Sequence, residues 1–128
     1  MDLKQALVVP PDEFIFHNPE PIARRDAVAI LGGDNPEEIA ETLVSVALND
    51  PDAEWIEATC WRMAEHADPS VRGLAGLFLG HVARRFGALR AHSWEVVRGF
   101  CADPAVDNRP CDGLDDMRQY AGPEPPHL

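Results

Sequence analysis

Four dipeptides constrain what this chain can fold into: Asn35-Pro36, Asp50-Pro51, Asp68-Pro69 and Asp103-Pro104. Each sets a side-chain acceptor directly before a proline. At a helix N-cap, Asn or Asp takes a hydrogen bond from a backbone N–H that the first turn leaves unpaired. Proline at the next position has no N–H to leave unpaired and a φ that is already helical. Four such starts in 128 residues, with no useful run of period-two alternation, predict an all-α fold. Asn35 and Glu38 also have the spacing of a capping box.

The spacing predicts helices over residues 36–49, 51–66 and 69–86, one over about 93–102 opening at Ser93, and a last one within 104–120. That last helix is interrupted by Asn108-Arg109-Pro110 and turns Leu114 and Met117 inward. An earlier helix, about 20–31, stops at Gly32-Gly33. Helix 36–49 carries Ile39, Leu43, Val46 and Ala47 on one stripe and Val44 and Leu48 on a second, so it is expected to be covered on two sides. Helix 69–86 has an apolar arc of Val71, Ala75, Phe78, Leu79, Val82 and Phe86, and Gly73, Gly76 and Gly80 on the other side. Glycine in a helix interior costs about 1 kcal/mol. Three of them on this helix imply a backbone that another helix approaches closely. Domain organisation follows: an N-terminal arm over 1–19, in which Phe14-Ile15-Phe16 is either a short strand or a cover for a core edge, a helical domain over 20–120, and a disordered tail over 121–128.

Asn35 to Asp68 is 33 residues and Asp68 to Asp103 is 35, and each interval holds two helices. That period belongs to stacked helical hairpins, in which neighbours bury each other's faces. The stretch DPSVRGLA from Asp68 to Ala75, followed by Leu79-Gly80-His81-Val82-Ala83, resembles the HEAT-repeat pattern. The pattern begins again at Asp103-Pro104-Ala105-Val106, but Asp107 stands where the pattern has Arg, as in a degenerate capping repeat. The wider stretch from Asp50 to Gly87 is similar to small bacterial HEAT-like proteins, some of them encoded beside polymorphic toxins as immunity proteins. The resemblance covers about residues 35–120 and implies a short HEAT-like stack of about five or six antiparallel helices. It implies a binding module more than any one partner.

Charge narrows the partner. Acidic residues number 22 against 11 basic, and ten of the 11 are arginine, which suits a GC-rich bacterial genome. Between Asp26 and Trp61 there is no Lys or Arg, but nine Asp or Glu. Such a field repels nucleic acid and anionic membrane and attracts basic proteins. Nothing in the chain approaches the roughly 20 apolar residues of a spanning helix, and the first residues, MDLKQALVVPPDE, are too acidic and too short in their apolar patch for a signal peptide. A cytoplasmic protein is expected. Three cysteines without a CxxC fit that compartment, with Cys60 and Cys101 expected as buried free thiols.

No catalytic constellation emerges, so an enzyme is not expected. His66 and His81 sit beside apolar stripes and read as half-buried packing residues, and no histidine has a partner at metal-ligand spacing. Gly32-Gly33 lacks the following Lys-Ser/Thr of a phosphate loop, and the adjacent Asp115 and Asp116 face different directions on a helix. No cofactor and no metal are expected.

The segment AEWIEATCWRMAEH, from Ala53 to His66, holds two of the three tryptophans, six residues apart. Trp55 flanks the stripe formed by Ile56, Thr59, Cys60 and Met63 and can bury its ring there. Trp61 lies about 160° from Met63. At i−7, i−4 and i+4 from it stand Glu54, Glu57 and Glu65. Two readings stay open: Trp61 packs under residues 1–33, or it is an exposed anchor framed by acid, as in a hot spot for a basic partner. The expected partner-binding set is Trp61, Glu54, Glu57, Glu65, Glu37 and Glu41, with Glu38 serving its own helix cap first. By resemblance the function is that of an immunity protein, neutralising a cognate toxin by occluding its basic active surface. The alternative is a non-inhibitory HEAT-like scaffold or a regulatory subunit of a larger complex.

Overall fold

The computed structural model describes residues 20–103, 105–106 and 109–126; the expected arm, Pro104 and Asn108 lie outside the described residues. Among the described residues there are six helices and no strand: α1 (Arg24–Leu31), α2 (Pro36–Asn49), α3 (Ala53–Met63), α4 (Pro69–Phe86), α5 (Ala91–Cys101) and α6 (Arg109–Tyr120). From α2 onward each helix packs on its successor and on the next but one. One layer is therefore α2, α4 and α6, the other is α3 and α5, and α1 closes the stack against α2. This is a stack of helical hairpins.

The caps explain where the helices begin. Asn35 accepts from the N–H groups of Glu37 and Glu38, and Asp68 accepts from that of Ser70, each with proline at the first position. The Asp50-Pro51 start is displaced by two residues. Asp50 ends α2, donating its N–H to Val46, and its side chain accepts from the Asp52 N–H. Asp52 is the true cap of α3, accepting from Trp55 at 3.1 Å. Helix α5 starts two residues before Ser93, because the Ser93 hydroxyl is committed to a tertiary contact and not to a cap. Gly87 ends α4 with φ 75°, a left-handed turn that glycine adopts without strain, and its N–H donates to Ala83.

The expected stripes are the core. Ile39, Leu43, Val46 and Ala47 of α2, Ile56, Cys60 and Met63 of α3, and Leu114 and Met117 of α6 are all buried. Two positions differ. Leu48 is 37% exposed and Phe86 36%, each near the C-terminal end of its helix; the Arg85 guanidinium lies 4.5 Å over the Phe86 ring. The glycine face of α4 does what its sequence implies. A Cβ on Gly80 would lie 2.8 Å from the Gly113 Cα, and one on Gly113 would lie 2.6 Å from the Gly76 carbonyl oxygen, so α4 and α6 cross backbone to backbone.

Arginines tie the layers. Arg72 donates to the carbonyls of His66 and Ala67 and holds the α3–α4 turn. Arg85 donates to the carbonyls of Ala47 and Asp50 and closes the open end of α2. Arg24 bonds Asp50 and Asp52 and lies 4.3 Å over the Trp55 ring. Residues 121–126, part of the stretch expected as a disordered tail, fold back on α5: Glu124 accepts from Arg98 and Arg118, and Arg98 also donates to the Pro125 carbonyl. Cys101 is not a free thiol. It is bridged to Cys111, with the two Cα atoms 5.2 Å apart, which ties the last residue of α5 to the first turn of α6.

Candidate functional site

Trp61 is half-buried, and among the described residues it is covered by α5 and its N-cap; the part of the packing reading that calls on residues 1–19 lies outside the described residues. The indole Nε1 donates to the Ser93 hydroxyl at 2.8 Å, the His92 ring meets it edge-on at 4.8 Å, and the Arg90 guanidinium lies 4.3 Å over its face. Beneath it, Glu57 is only 3% exposed. Its Oε2 accepts from Ser93 Oγ at 2.6 Å and from the Arg90 N–H at 2.9 Å, and its Oε1 accepts from Arg90 Nε at 3.1 Å. The first turn of α5 leaves N–H groups without helical partners, and the Glu57 carboxylate fills one of those vacancies from another helix. Glu57 is therefore a buried tie between α3 and α5 and cannot meet a partner directly. A serine bonded to a carboxylate resembles an activated nucleophile, but Ser93 and Glu57 are both buried, so the pair serves to position Trp61.

Positioned in this way, Trp61 lines an open groove of about 380 Å³ between α3 and α5. Half-buried Trp61, Ala64, Val96 and Phe100 supply its apolar surface. Glu65, Glu95 and Asp103 line the same groove with carboxylates, together with His92 and Gly99. The His92 Nδ1 lies 3.8 Å from Glu95, and Asp103 accepts from the Ala105 N–H at 2.9 Å. Among the described residues no Lys or Arg ion-pairs with these three carboxylates.

Of the residues expected from the sequence, the groove takes Trp61 and Glu65. Glu54 is exposed on α3, and its backbone carbonyl accepts from Arg90 at 2.7 Å. Glu37 and Glu41 are exposed on α2 and do not line the groove. The residues that sequence reasoning missed are those of α5. A signal was present: His92, Glu95, Val96, Gly99 and Asp103 recur at i, i+3, i+4, i+7 and i+11, one face of a helix opposite the buried Trp94 and Val97.

His66 is half-buried, and its Nδ1 accepts from the Asp68 N–H. His81 is half-buried against Phe78; burial and then the nearby Arg84 lower its pKa, against the opposing pull of Asp116. Among the described residues no group of three or more His, Cys, Asp or Glu is placed to hold a metal ion, and no helix is long and apolar enough to cross a membrane.

No family model matches the chain, and no curated protein matches it. A solved structure does. The chain is similar to a chain of the crystal structure of a CDI complex from Cupriavidus taiwanensis, with 30% sequence identity, a TM-score of 0.72, and coverage of 82% of this chain and 96% of that one. The two are one family. This chain belongs with that CDI-complex component, and the shared region accounts for nearly all of the relative. The all-α stack is thus a fold that also occurs in a chain of that CDI complex.

Proposed function

We propose that this chain is an immunity protein of contact-dependent inhibition, a non-catalytic binding module that neutralises a cognate toxin in the cytoplasm of the cell that makes it. The single observation that carries the reading is the family membership: 30% identity over 96% of a chain taken from a CDI complex. Of the two roles in such a complex, toxin and inhibitor, the charge favours the second. A net charge of −11 suits a plug for a basic surface, drawing it in over distances up to about a Debye length and competing with the substrate's own negative charge. We assign the binding face to the exposed acid of α2, α3 and the turn after α3, namely Glu37, Glu41, Glu54 and Glu65, with Trp61 in the groove. Glu57 belongs to this assembly as the support under Trp61. The next-but-one packing of the helices and the 33- and 35-residue intervals favour a HEAT-like repeat as its architectural origin.

The test is co-expression with the product of each neighbouring gene, followed by co-purification and a growth assay. Rescue of cells from one otherwise toxic neighbour, together with a stable complex, is the expected result. A chain that neither rescues growth nor co-purifies with any neighbour is not an immunity protein.

A further inference from the structure

We infer that the α3–α5 groove seats one long cationic side chain of the partner, a lysine or an arginine, with its alkyl stem on the apolar surface and its charge among Glu65, Glu95 and Asp103. The inference rests on the binding-protein reading above and specifies what that site takes.

The groove combines two demands that few groups meet together. Trp61, Val96 and Phe100 present apolar surface, which favours contact with carbon. Three carboxylates line the same space, and the described residues leave them without an Arg or Lys partner. A purely apolar side chain would strip water from those carboxylates and return nothing. An anionic one would be repelled. A long basic side chain satisfies both, laying its methylenes on the hydrophobic surface while its head reaches the acid.

The positive charges nearby do not cancel the acid. Arg90 lies over Trp61, but it is ion-paired with Glu57 at 3.1 Å, so its charge is already compensated. Asp103 spends a lone pair on the Ala105 N–H, not its charge. His92 faces Glu95 at 3.8 Å and offsets it only when protonated. The Trp61 indole is also held in place by the Ser93 bond, so little ordering entropy is lost when the groove fills.

Heteronuclear NMR of the full chain tests this with capped tripeptides carrying lysine, arginine or norleucine between two alanines. The Trp61 indole N–H, the Val96 methyls and the Gly99 amide are expected to shift with the lysine or the arginine peptide. Binding of the norleucine peptide is expected to be weaker by about fivefold or more, as is binding of the cationic peptides to the Glu65→Gln/Glu95→Gln double variant. Both of those glutamates are exposed, so the variant should fold. Equal shifts with norleucine, or none in the groove with any peptide, overturn the inference. Failure of the two readings is separable. If the wild-type chain rescues growth and the double variant binds the same toxin with unchanged affinity, the groove assignment falls and neutralisation stands. If groove shifts occur as expected while no neighbour is neutralised, the cationic site stands and the immunity reading falls.

Discussion

The carboxylate of Glu57 receives three donors within 3.1 Å, two from Arg90, the N-cap of α5, and one from Ser93 in its first turn. Removing it strands the Ser93 hydroxyl and the Arg90 N–H in a buried place, at about 1–3 kcal/mol for each group left unsatisfied. Arg90 itself is 42% exposed, so water screens part of the loss. Glu57→Ala should lower unfolding free energy by about 2–3 kcal/mol in urea melts, and Glu57→Gln, which keeps an acceptor, by less. A loss no larger than that of an exposed glutamate variant such as Glu54→Ala would show that the tie is not made. Cys60 gives a second test at this scale. Burial, and then the Glu57 charge, push its thiol from 9.0 up to about 12. The folded state therefore keeps a proton that the unfolded chain gives up above pH 9, and stability falls as pH rises from 9 towards 12. The slope is about 1.4 kcal/mol per pH unit from this group. Cys60→Ala should flatten that part of the stability–pH curve relative to wild type, and the native thiol should resist alkylation at pH 8 until denaturant is added.

Helix α4 works through its glycines. Backbone meets backbone where Gly80 and Gly113 cross, and neither neighbour is a flexible side-chain end that could move aside. Gly113→Ala should force α4 and α6 apart and cost about 3 kcal/mol, near the upper end for overpacking, read as a fall in melting temperature. Gly99 is the contrast, with nothing within 4 Å of an added Cβ. Gly99→Ala should gain up to about 1 kcal/mol from helix propensity. If the two substitutions behave alike, the close crossing is not what places α6. The same scale explains the displaced start of α3. The motif Asp50-Pro51-Asp52 offers two acceptors two residues apart, and both are used. Which one caps the helix depends on where α2 ends and on Arg24, which bridges both carboxylates from another helix. Local spacing ranks the two starts equally.

At the level of the whole molecule, the proposed recognition of a toxin brings Trp61 and the net charge together. Trp61→Ala should weaken toxin binding by about 2 kcal/mol or more, some 30-fold in Kd. The indole is half-buried and bonded to Ser93, so the variant also loses stability, and affinity must be measured where circular dichroism shows it folded. Unchanged affinity would remove the groove from the interface. Association with a basic partner should also slow several-fold between low salt and about 0.5 M, as charges separated by more than a Debye length are screened. A rate independent of salt would discard steering by the −11 charge. Much of this molecule was readable in advance because its signals are local. A cap such as Asn35 or Asp68, a glycine stop such as Gly32 and an apolar stripe such as Ile39, Leu43 and Val46 act within a turn or two of chain, so helix number, order and inward faces follow from the residues alone. Spacing could not separate Glu57 from Glu54 and Glu65, which would share one face of the helix expected over 51–66; in the structure α5 buries Glu57, while Glu54 on α3 and Glu65 in the turn after it stay in water. The groove, the Ser93 link to Trp61 and the Cys101–Cys111 bridge were likewise settled by tertiary structure, because each joins groups on different helices, and which helices meet is decided by the packing of the entire core.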